Sequence, residues 1–240
     1  MKTHAPYGLE LIDDCSKCPL RKEGFFCQLP NGCLEAFEKV KFASSYPAGA
    51  VLFVEGQVPR GVYMLCNGRV KLTMASPDGK TIIVRVAEPG ELLGMHSAMS
   101  GEAHELTAET LQPCQVDFIR RDDFTRLVRE HPDAAVNAMQ QFSNYYRGAC
   151  QQIRYLGLST SAAEKLACFL LEAALRGQET PQGVRFNLSL THEEIAQIVG
   201  LTRESVTRGL AEFRHRSLIS TKGPTVVIRN KPALEAMAVA

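Results

Sequence analysis

Residues 191–210 read Thr-His-Glu-Glu-Ile-Ala-Gln-Ile-Val-Gly-Leu-Thr-Arg-Glu-Ser-Val-Thr-Arg-Gly-Leu, and this stretch decides the fold of the last third of the chain. Thr191 followed by Glu194 is the capping box that opens a helix. Gly200 provides the left-handed backbone that ends this helix, and Thr202 is placed to cap the next one. The spacing therefore predicts two short helices joined by a tight turn.

The second predicted helix has an apolar side and a polar side. The apolar side holds, at spacings of four and three, Val206, Leu210 and Phe213. The polar side holds Arg203, Glu204, Thr207 and Arg208. This polar side suits the major groove of DNA, because arginine binds guanine acceptors, glutamate accepts from cytosine and threonine contacts a phosphate or a thymine methyl. The alternative interpretation is a solvated face with a Glu204–Arg208 ion pair.

A β-rich stretch follows these helices. Residues 218–228 form two β-rich runs around a Lys-Gly-Pro turn. Two helices followed by such a hairpin resemble the winged helix-turn-helix of the Crp/Fnr family of bacterial transcription regulators. Arg203, Glu204 and Arg208 match the family's base-reading signature. The resemblance, which extends from about Phe37 to the C-terminus, implies a DNA-binding regulator whose wing residue Lys222 also contacts DNA.

The composition is compatible with this function. The chain has 240 residues, enough for one large domain or two modest ones. Its net charge is only +1, but basic residues concentrate between residues 203 and 229 and give a local basic patch. No apolar leader and no apolar run of membrane-spanning length is visible, and the thiols suit a reducing compartment. The sequence therefore predicts a cytoplasmic protein without membrane contact.

An enzyme is not expected from this sequence. The six histidines are scattered. No Ser/His/Asp or Cys/His arrangement and no phosphate-cradling glycine loop is visible in the chain.

The region from about Val40 to Arg120 consists of short β-rich runs separated by turn residues. Asn67-Gly68 predicts a two-residue hairpin between runs 62–66 and 69–74. Further runs cover residues 51–54, 81–86, 104–111 and 115–120. The pattern predicts an antiparallel β-roll, and with the helices an α+β fold. It resembles the effector domain of the family, a double-stranded β-helix that serves as the sensor.

A long helix is predicted from Pro132 to about Leu158. Its apolar positions recur at three and four: Val136, Met139, Phe142 or Ser143, Tyr146, Ala149, Ile153 and Leu156. An intramolecular core face would produce the same stripe. The family pairs this helix with its twin across a dimer axis, so the resemblance implies a homodimer.

The sequence thus divides into four predicted segments. These are a cysteine-rich segment (1–36), a β-roll effector domain (37–131), a dimerisation helix (132–158) and a winged helix-turn-helix (159–240). The partners implied by the resemblance are a palindromic double-stranded DNA operator and, if the protein is an activator, RNA polymerase.

Four of the eight cysteines crowd the N-terminus: Cys15, Cys18, Cys27 and Cys33. Charged and turn residues surround them, so burial alone does not explain these thiols. A Cys-x2-Cys pair brings two sulfurs within reach of one metal, and a third thiol can close around it. By contrast, Cys66, Cys150 and Cys168 lie in contexts typical of buried structural thiols.

The Fnr branch of the family holds an oxygen-labile [4Fe–4S] cluster on three N-terminal cysteines and one distant cysteine. By this resemblance Cys15, Cys18 and Cys27 are the trio, although eight residues separate Cys18 from Cys27 where the family has five. Cys114 matches the distant ligand, and Cys33 is the alternative fourth ligand. A thiol–disulfide switch, a four-thiolate zinc site within residues 15–33 and purely structural thiols remain open.

A cyclic nucleotide is not expected as the effector. Relatives that bind cyclic AMP carry Gly-Glu-Leu and, further on, an Arg-Ser pair whose arginine meets the cyclic phosphate. This chain has Gly90-Glu91-Leu92, but no arginine between Glu91 and Gln115. The phosphate-binding positions correspond to His104 and Glu105, and a carboxylate repels a phosphate. Another small-molecule effector in the β-roll is the remaining, less favoured alternative.

Overall fold

The computed structural model of the protein describes residues 6–12, 14–23 and 27–238. The chain divides into two compact units, the first extending to Gly148 and the second beginning at Ala149. Each unit has buried hydrophobic clusters of its own. The α+β fold predicted from the sequence is confirmed.

The first unit begins with short helical elements around the N-terminal cysteines. Single 3-10 turns cover Pro6–Gly8 and Cys15–Lys17, and helix α1 covers Leu20–Glu23. Helix α2 covers Asn31–Val40. Its buried residues are Cys33, Leu34 and Phe37, which anchor this helix to the roll.

The β-roll follows α2. Its strands are β1 (Lys41–Tyr46), β2 (Val51–Phe53), β3 (Gly61–Asn67), β4 (Val70–Ala75), β5 (Thr81–Ala87), β6 (Leu92–Leu93), β7 (Thr107–Thr110) and β8 (Cys114–Arg120). In the described residues they form two four-stranded antiparallel sheets, ordered β1-β8-β3-β6 and β2-β7-β4-β5. Buried residues of both sheets share one cluster, among them Leu65 of β3 and Leu72 of β4.

The Asn67-Gly68 hairpin prediction is wrong. Strand β3 pairs with β6 and β8, whereas β4 pairs with β5 and β7, so the two runs lie in different sheets. Gly68 does adopt a turn conformation with φ 92°, but the turn leads the chain from one sheet to the other. Asn67-Gly68 therefore correctly predicts a turn. It cannot predict the partners of β3, because those strands lie later in the chain and the turn sequence does not specify them.

Three helices complete the first unit and lead out of it. Helix α3 covers Met95–Ser100, α4 covers Arg121–Glu130 and α5 covers Pro132–Gly157. The long helix predicted for residues 132–158 is therefore present, and the division between the units falls within it.

The second unit contains three further helices, the wing and a C-terminal helix. Helix α6 covers Ala162–Ala173, α7 His192–Val199, α8 Arg203–His215 and α9 Lys231–Ala238. Strands β9 (Gln178–Thr180), β10 (Gly183–Asn187), β11 (Ile219–Lys222) and β12 (Thr225–Ile228) form a sheet ordered β11-β12-β10-β9. Helix α8 packs closely on α6, since a Cβ at Gly209 would lie 2.4 Å from Leu166 Cδ1.

In the described part of the chain, no helix combines the length and apolar character needed to cross a membrane.

Candidate functional site

The helix-turn-helix forms through the local contacts that the sequence predicted. The Glu194 backbone N–H donates to Thr191 Oγ1 at 3.2 Å, and the Thr191 N–H donates to Glu194 Oε2 at 2.6 Å. Gly200 ends α7 with φ 66°. Thr202 Oγ1 then accepts from the Ser205 N–H at 3.2 Å and opens α8. Both helix starts and the turn are thus determined by residues within the motif itself.

The two sides of α8 are also as predicted. Val206, Leu210 and Phe213 are buried in the core of the second unit. The polar side is exposed: Arg203, Glu204, Thr207 and Arg208. Among the described residues neither Glu204 nor Arg208 takes part in an ion pair, so the predicted alternative pairing is not formed. Their charged groups are available to a nucleic acid.

Thr207 has contacts within the protein that the sequence did not indicate. Its hydroxyl donates to the Arg203 carbonyl at 2.9 Å and lies 2.8 Å from His192 Nδ1. Because the Thr207 hydroxyl donates its proton within α8, the methyl group of Thr207 is the part of the side chain that can contact a thymine methyl. His192 links the start of α7 to the middle of α8, but a pair 15 positions apart has no recognisable spacing in the sequence.

The wing is a regular hairpin. Ile219 pairs with Ile228 and Lys222 with Thr225, and Gly223 adopts φ 57° in the turn. Lys222 is exposed at the end of β11. Strands β9 and β10, which were not predicted from the sequence, extend the hairpin into a four-stranded sheet.

A second candidate site lies in the first unit between the N-terminal segment and the roll. We call it the thiol pocket. Four cysteines line it: Cys15, Cys18, Cys27 and Cys66. The other lining residues are Arg21 and the apolar side chains of Ile12, Leu20, Leu29, Leu34, Phe37 and Met64.

The structure therefore brings together the predicted trio but neither of the predicted fourth ligands. Cys114 lies in the interior of the roll, where its Sγ is 3.1 Å from the Gln112 carbonyl oxygen and 3.4 Å from that of Arg69. Cys33 is buried in α2 and is not among the lining residues. Cys66, which was predicted to be a buried structural thiol, lines the pocket instead.

A buried ion pair lies beside the thiol pocket. Lys41 Nζ is 2.8 Å from Asp117 Oδ2, with the two side chains only 7% and 0% exposed. The same ammonium donates to Cys15 Sγ at 3.2 Å. Burial opposes the charge on Lys41, but Asp117 outweighs it and raises the pKa of Lys41 above its ordinary value. A fixed positive charge thus lies within reach of the pocket.

Burial raises the thiol pKa values in this pocket. It raises the pKa of Cys27 to about 12, with Cys18 and Cys15 adding to the rise. Burial likewise raises the pKa of Cys66, and Asp117 and Cys27 raise it further. The pKa of Cys15 is raised by burial although Lys41 opposes the shift. As free groups, these three are protonated at neutral pH.

The donor atoms are not arranged around a single point. Within the described residues, no three side chains of His, Cys, Asp or Glu are placed to hold one metal ion. None of the eight cysteines forms a disulfide.

Glu91 and His104, which lie at the positions where the resemblance would place a cyclic nucleotide, contact other side chains of the roll and of α5. Glu91 forms an ion pair with Arg85, whose guanidinium carbon lies 3.7 Å from the Tyr145 ring centroid. His104 is only 4% exposed and stacks on Phe53 at 4.0 Å between ring centroids. Burial lowers the pKa of His104, so the imidazole is neutral. That no cyclic nucleotide binds here stays a prediction.

Comparison with known proteins agrees with both halves of the chain. Residues 43–131 match the family model described as a cyclic nucleotide-binding domain, and residues 164–237 match the Crp-like helix-turn-helix domain. Over 205 residues the chain is 30% identical to the transcriptional activator protein Anr of Pseudomonas protegens, covering 84% of this chain and 82% of that protein.

Two further similarities cover most of the chain. The chain is 26% identical over 216 residues to the CRP-like cAMP-activated global transcriptional regulator of Mycobacterium tuberculosis, covering 90% of this chain and 96% of that protein. The structure of FixK2 from Bradyrhizobium japonicum matches with a TM-score of 0.72 and 25% identity, over 84% of this chain and 98% of that one. Together with the exposed recognition helix and the roll, these similarities show that the chain is a DNA-binding transcription regulator, not an enzyme, and belongs to the Crp/Fnr family.

Proposed function

We propose that this regulator senses oxygen or redox state through a [4Fe–4S] cluster held by the thiol pocket, and binds a palindromic operator as a homodimer. The observation that carries the proposal is the convergence of Cys15, Cys18 and Cys27 on one largely apolar pocket. When bound, such a cluster supplies an oxygen-labile inorganic core held only by thiolates.

The chemistry of the donor set supports a cluster over the two alternatives. A disulfide switch favours exposed thiols of low pKa, whereas burial raises the pKa of Cys15 and Cys27. A four-thiolate zinc site within residues 15–33 needs Cys33, which is buried in α2 and does not line the thiol pocket. In an iron–sulfur cluster, the thiolates are distributed around a larger core. The ammonium of Lys41, which lies 3.2 Å from Cys15 Sγ, would offset part of the negative charge of the thiolate-bound cluster.

The N-terminal segment is connected to the long helix within the first unit. Asn137 Nδ2 of α5 donates to the carbonyl of Gln28, the residue after Cys27, at 3.1 Å. Ala134 and Ala138 of α5 pack in the same cluster as Cys27 and Cys33. A change in the order of the segment around Cys27 would therefore alter the support of α5, which is how we expect the sensor state to reach the dimer.

The apolar stripe of α5 supports dimerisation through this helix. Val136, Met139, Phe142 and Tyr146 are 46–72% exposed in the first unit, and Ile153 is 66% exposed in the second. Leu156 does not belong to the exposed stripe, because it packs against Gly200. Large apolar side chains aligned on one helix indicate a surface that a second copy covers.

The cluster is tested by iron analysis of protein purified without air. Wild-type protein should be brown, contain about four irons per chain and bleach in air. Cys18→Ser should lose the iron because the hydroxyl is a far weaker ligand than a thiolate, whereas Cys33→Ser, outside the pocket, should retain it. A colourless wild-type protein with about one zinc per chain would refute the cluster.

DNA reading is tested on α8. Glu204→Ala or Arg208→Ala should relax the preference at one base pair of each half-site, at a cost of about 1–3 kcal/mol, because each removes a base contact. Binding to a randomised site library measures this. Lys222→Ala should weaken specific and random DNA alike and lower the salt dependence.

The matched control for Glu204→Ala is Glu212→Ala, an exposed glutamate near the C-terminal end of the same helix. Since base contacts come from the N-terminal part of a recognition helix, Glu212→Ala should leave the preference unchanged. If Glu204→Ala also leaves the library profile unchanged, α8 does not read bases as proposed.

A further inference from the structure

We propose that Cys66, and not Cys114, supplies the fourth thiolate beside Cys15, Cys18 and Cys27. The metal site would then be built from the N-terminal segment and strand β3. This inference rests on the proposed function, because it assigns a ligand to the cluster proposed above.

Cys66 faces the N-terminal segment. It lies on β3 two residues after Met64, at a register irregularity between Leu65 and Asn67, and it packs in the same hydrophobic cluster as Met64, whereas Leu65 packs in the other cluster of the roll. Cys66 and Met64 both line the thiol pocket, and Met64 Sδ is 4.0 Å from Cys27 Sγ. Cys66 is 8% exposed and belongs to the same hydrophobic cluster as Cys15 and Cys27. It is thus the roll cysteine nearest in placement to the trio.

The side chain of Cys114 points away from the N-terminal segment and into the roll. On β8 the side chain of the next residue, Gln115, points to the N-terminal segment, where it accepts from Ile12 N–H at 2.6 Å and donates to the Ile12 carbonyl at 2.8 Å. Since side chains alternate along a strand, Cys114 points into the roll, where it packs in the same cluster as Leu65 and Val116.

Moving Cys114 to the pocket would require a one-residue register shift of β8. That strand is paired along both edges, with β1 from Lys41 to Tyr46 and with β3 from Gly61 to Asn67. A shift would break both ladders and turn every side chain of β8 to the other face, including the buried Asp117. The fold therefore holds Cys114 away from the other three thiols, whereas Cys66 needs no such change.

The charges around Cys66 are compatible with a metal-bound thiolate. Asp117 lies beside Cys66 and disfavours its free thiolate, but Lys41 neutralises that carboxylate at 2.8 Å. On binding iron each thiol releases its proton to solvent and donates a sulfur lone pair to the metal, so the metal offsets the cost of ionising a buried thiol.

The test compares Cys66→Ser with Cys114→Ser, a matched change at another buried cysteine of the roll. Both full-length variants are reconstituted without air from ferrous iron and sulfide, and iron and acid-labile sulfide are measured per chain. Cys66→Ser should retain about a tenth or less of the iron and sulfide of wild type, as we expect for Cys18→Ser, and Cys114→Ser should equal wild type.

A measurement on the wild-type chain removes any dependence on how the variants fold. Alkylation followed by peptide mass analysis, before and after chelation of the iron, should show Cys15, Cys18 and Cys27 becoming labelled, and Cys66, which is 8% exposed and lines the pocket, becoming labelled more slowly. Labelling of Cys114 should not change, because its side chain is buried within the roll with or without metal. Iron loss from Cys114→Ser, iron retention by Cys66→Ser, or protection of Cys114 by iron would each overturn the inference while leaving a cluster in place. Wild-type protein without iron would overturn the proposed function itself.

Discussion

Ile153→Glu should separate the dimer into monomers that remain folded. Ile153 is 66% exposed in the single chain, so a charge there costs the monomer little. In a dimer seam the twofold axis would bury two like charges opposite each other, at roughly 3–5 kcal/mol for each unpaired charge. Because 1.4 kcal/mol is a factor of ten and two charges together cost at least about 6 kcal/mol, the dimer dissociation constant should rise by about four orders of magnitude or more. Light scattering as a function of concentration measures this, and operator affinity should fall with it.

Gln140→Glu is the matched control on the same helix. Gln140 is exposed and lies about 100° further round the helix than Met139, away from the centre of the stripe. The same charge there should leave the dimer intact. An Ile153→Glu protein that stays dimeric with unchanged stability would show that the stripe is not the seam.

The parts of the fold that the sequence predicted are those determined by near neighbours. The capping box of Thr191 and Glu194 and the left-handed Gly200 all act within one turn of the residues they order. The 3.6-residue periodicity similarly predicted which side of α8 is buried. Such signals need no knowledge of the rest of the chain, which is why the recognition helix could be placed residue by residue.

The partners of β3 and the face of Cys66 could not be predicted in this way. A run such as residues 62–66 is buried on both sides, so its pattern does not reveal which side chains point to the N-terminal segment. Cys66 therefore looked like an ordinary core thiol, and Cys114 drew attention through family resemblance. Only the packing of the folded roll, in which Cys66 lies in the cluster with Met64 and Cys114 in the cluster with Leu65, shows that the two cysteines face opposite sides.

The ion pair of Lys41 and Asp117 was missed for the same reason. Each residue sits in a strand, and nothing near either one indicates a buried partner of opposite charge. The register of β1 on β8 places Lys41 opposite Ile119, with Asp117 two positions along the same face. Because the side chains of Lys41 and Asp117 are only 7% and 0% exposed, breaking this ion pair should change the free energy of unfolding measurably.

Lys41→Met should destabilise the first unit by about 3–5 kcal/mol, because it leaves the Asp117 carboxylate buried without its counter-ion. Among the described residues, Lys41 is the only ion-pair partner of Asp117. Urea unfolding of the iron-free chain, followed by tyrosine fluorescence, measures the effect. The chain has no tryptophan, and of its tyrosines only Tyr155 lies outside the first unit, so the signal reports chiefly on that unit.

The double variant Lys41→Met with Asp117→Leu separates loss of the pair from loss of packing. Replacing both charges by apolar side chains removes the unpaired carboxylate, and such replacements are often neutral or stabilising. The double variant should therefore recover most of the stability that the single variant loses. Equal losses in both would mean that the lysine stem, not the charge, stabilises the unit. A loss below about 1 kcal/mol in Lys41→Met would mean that water reaches Asp117, as it does at a surface ion pair.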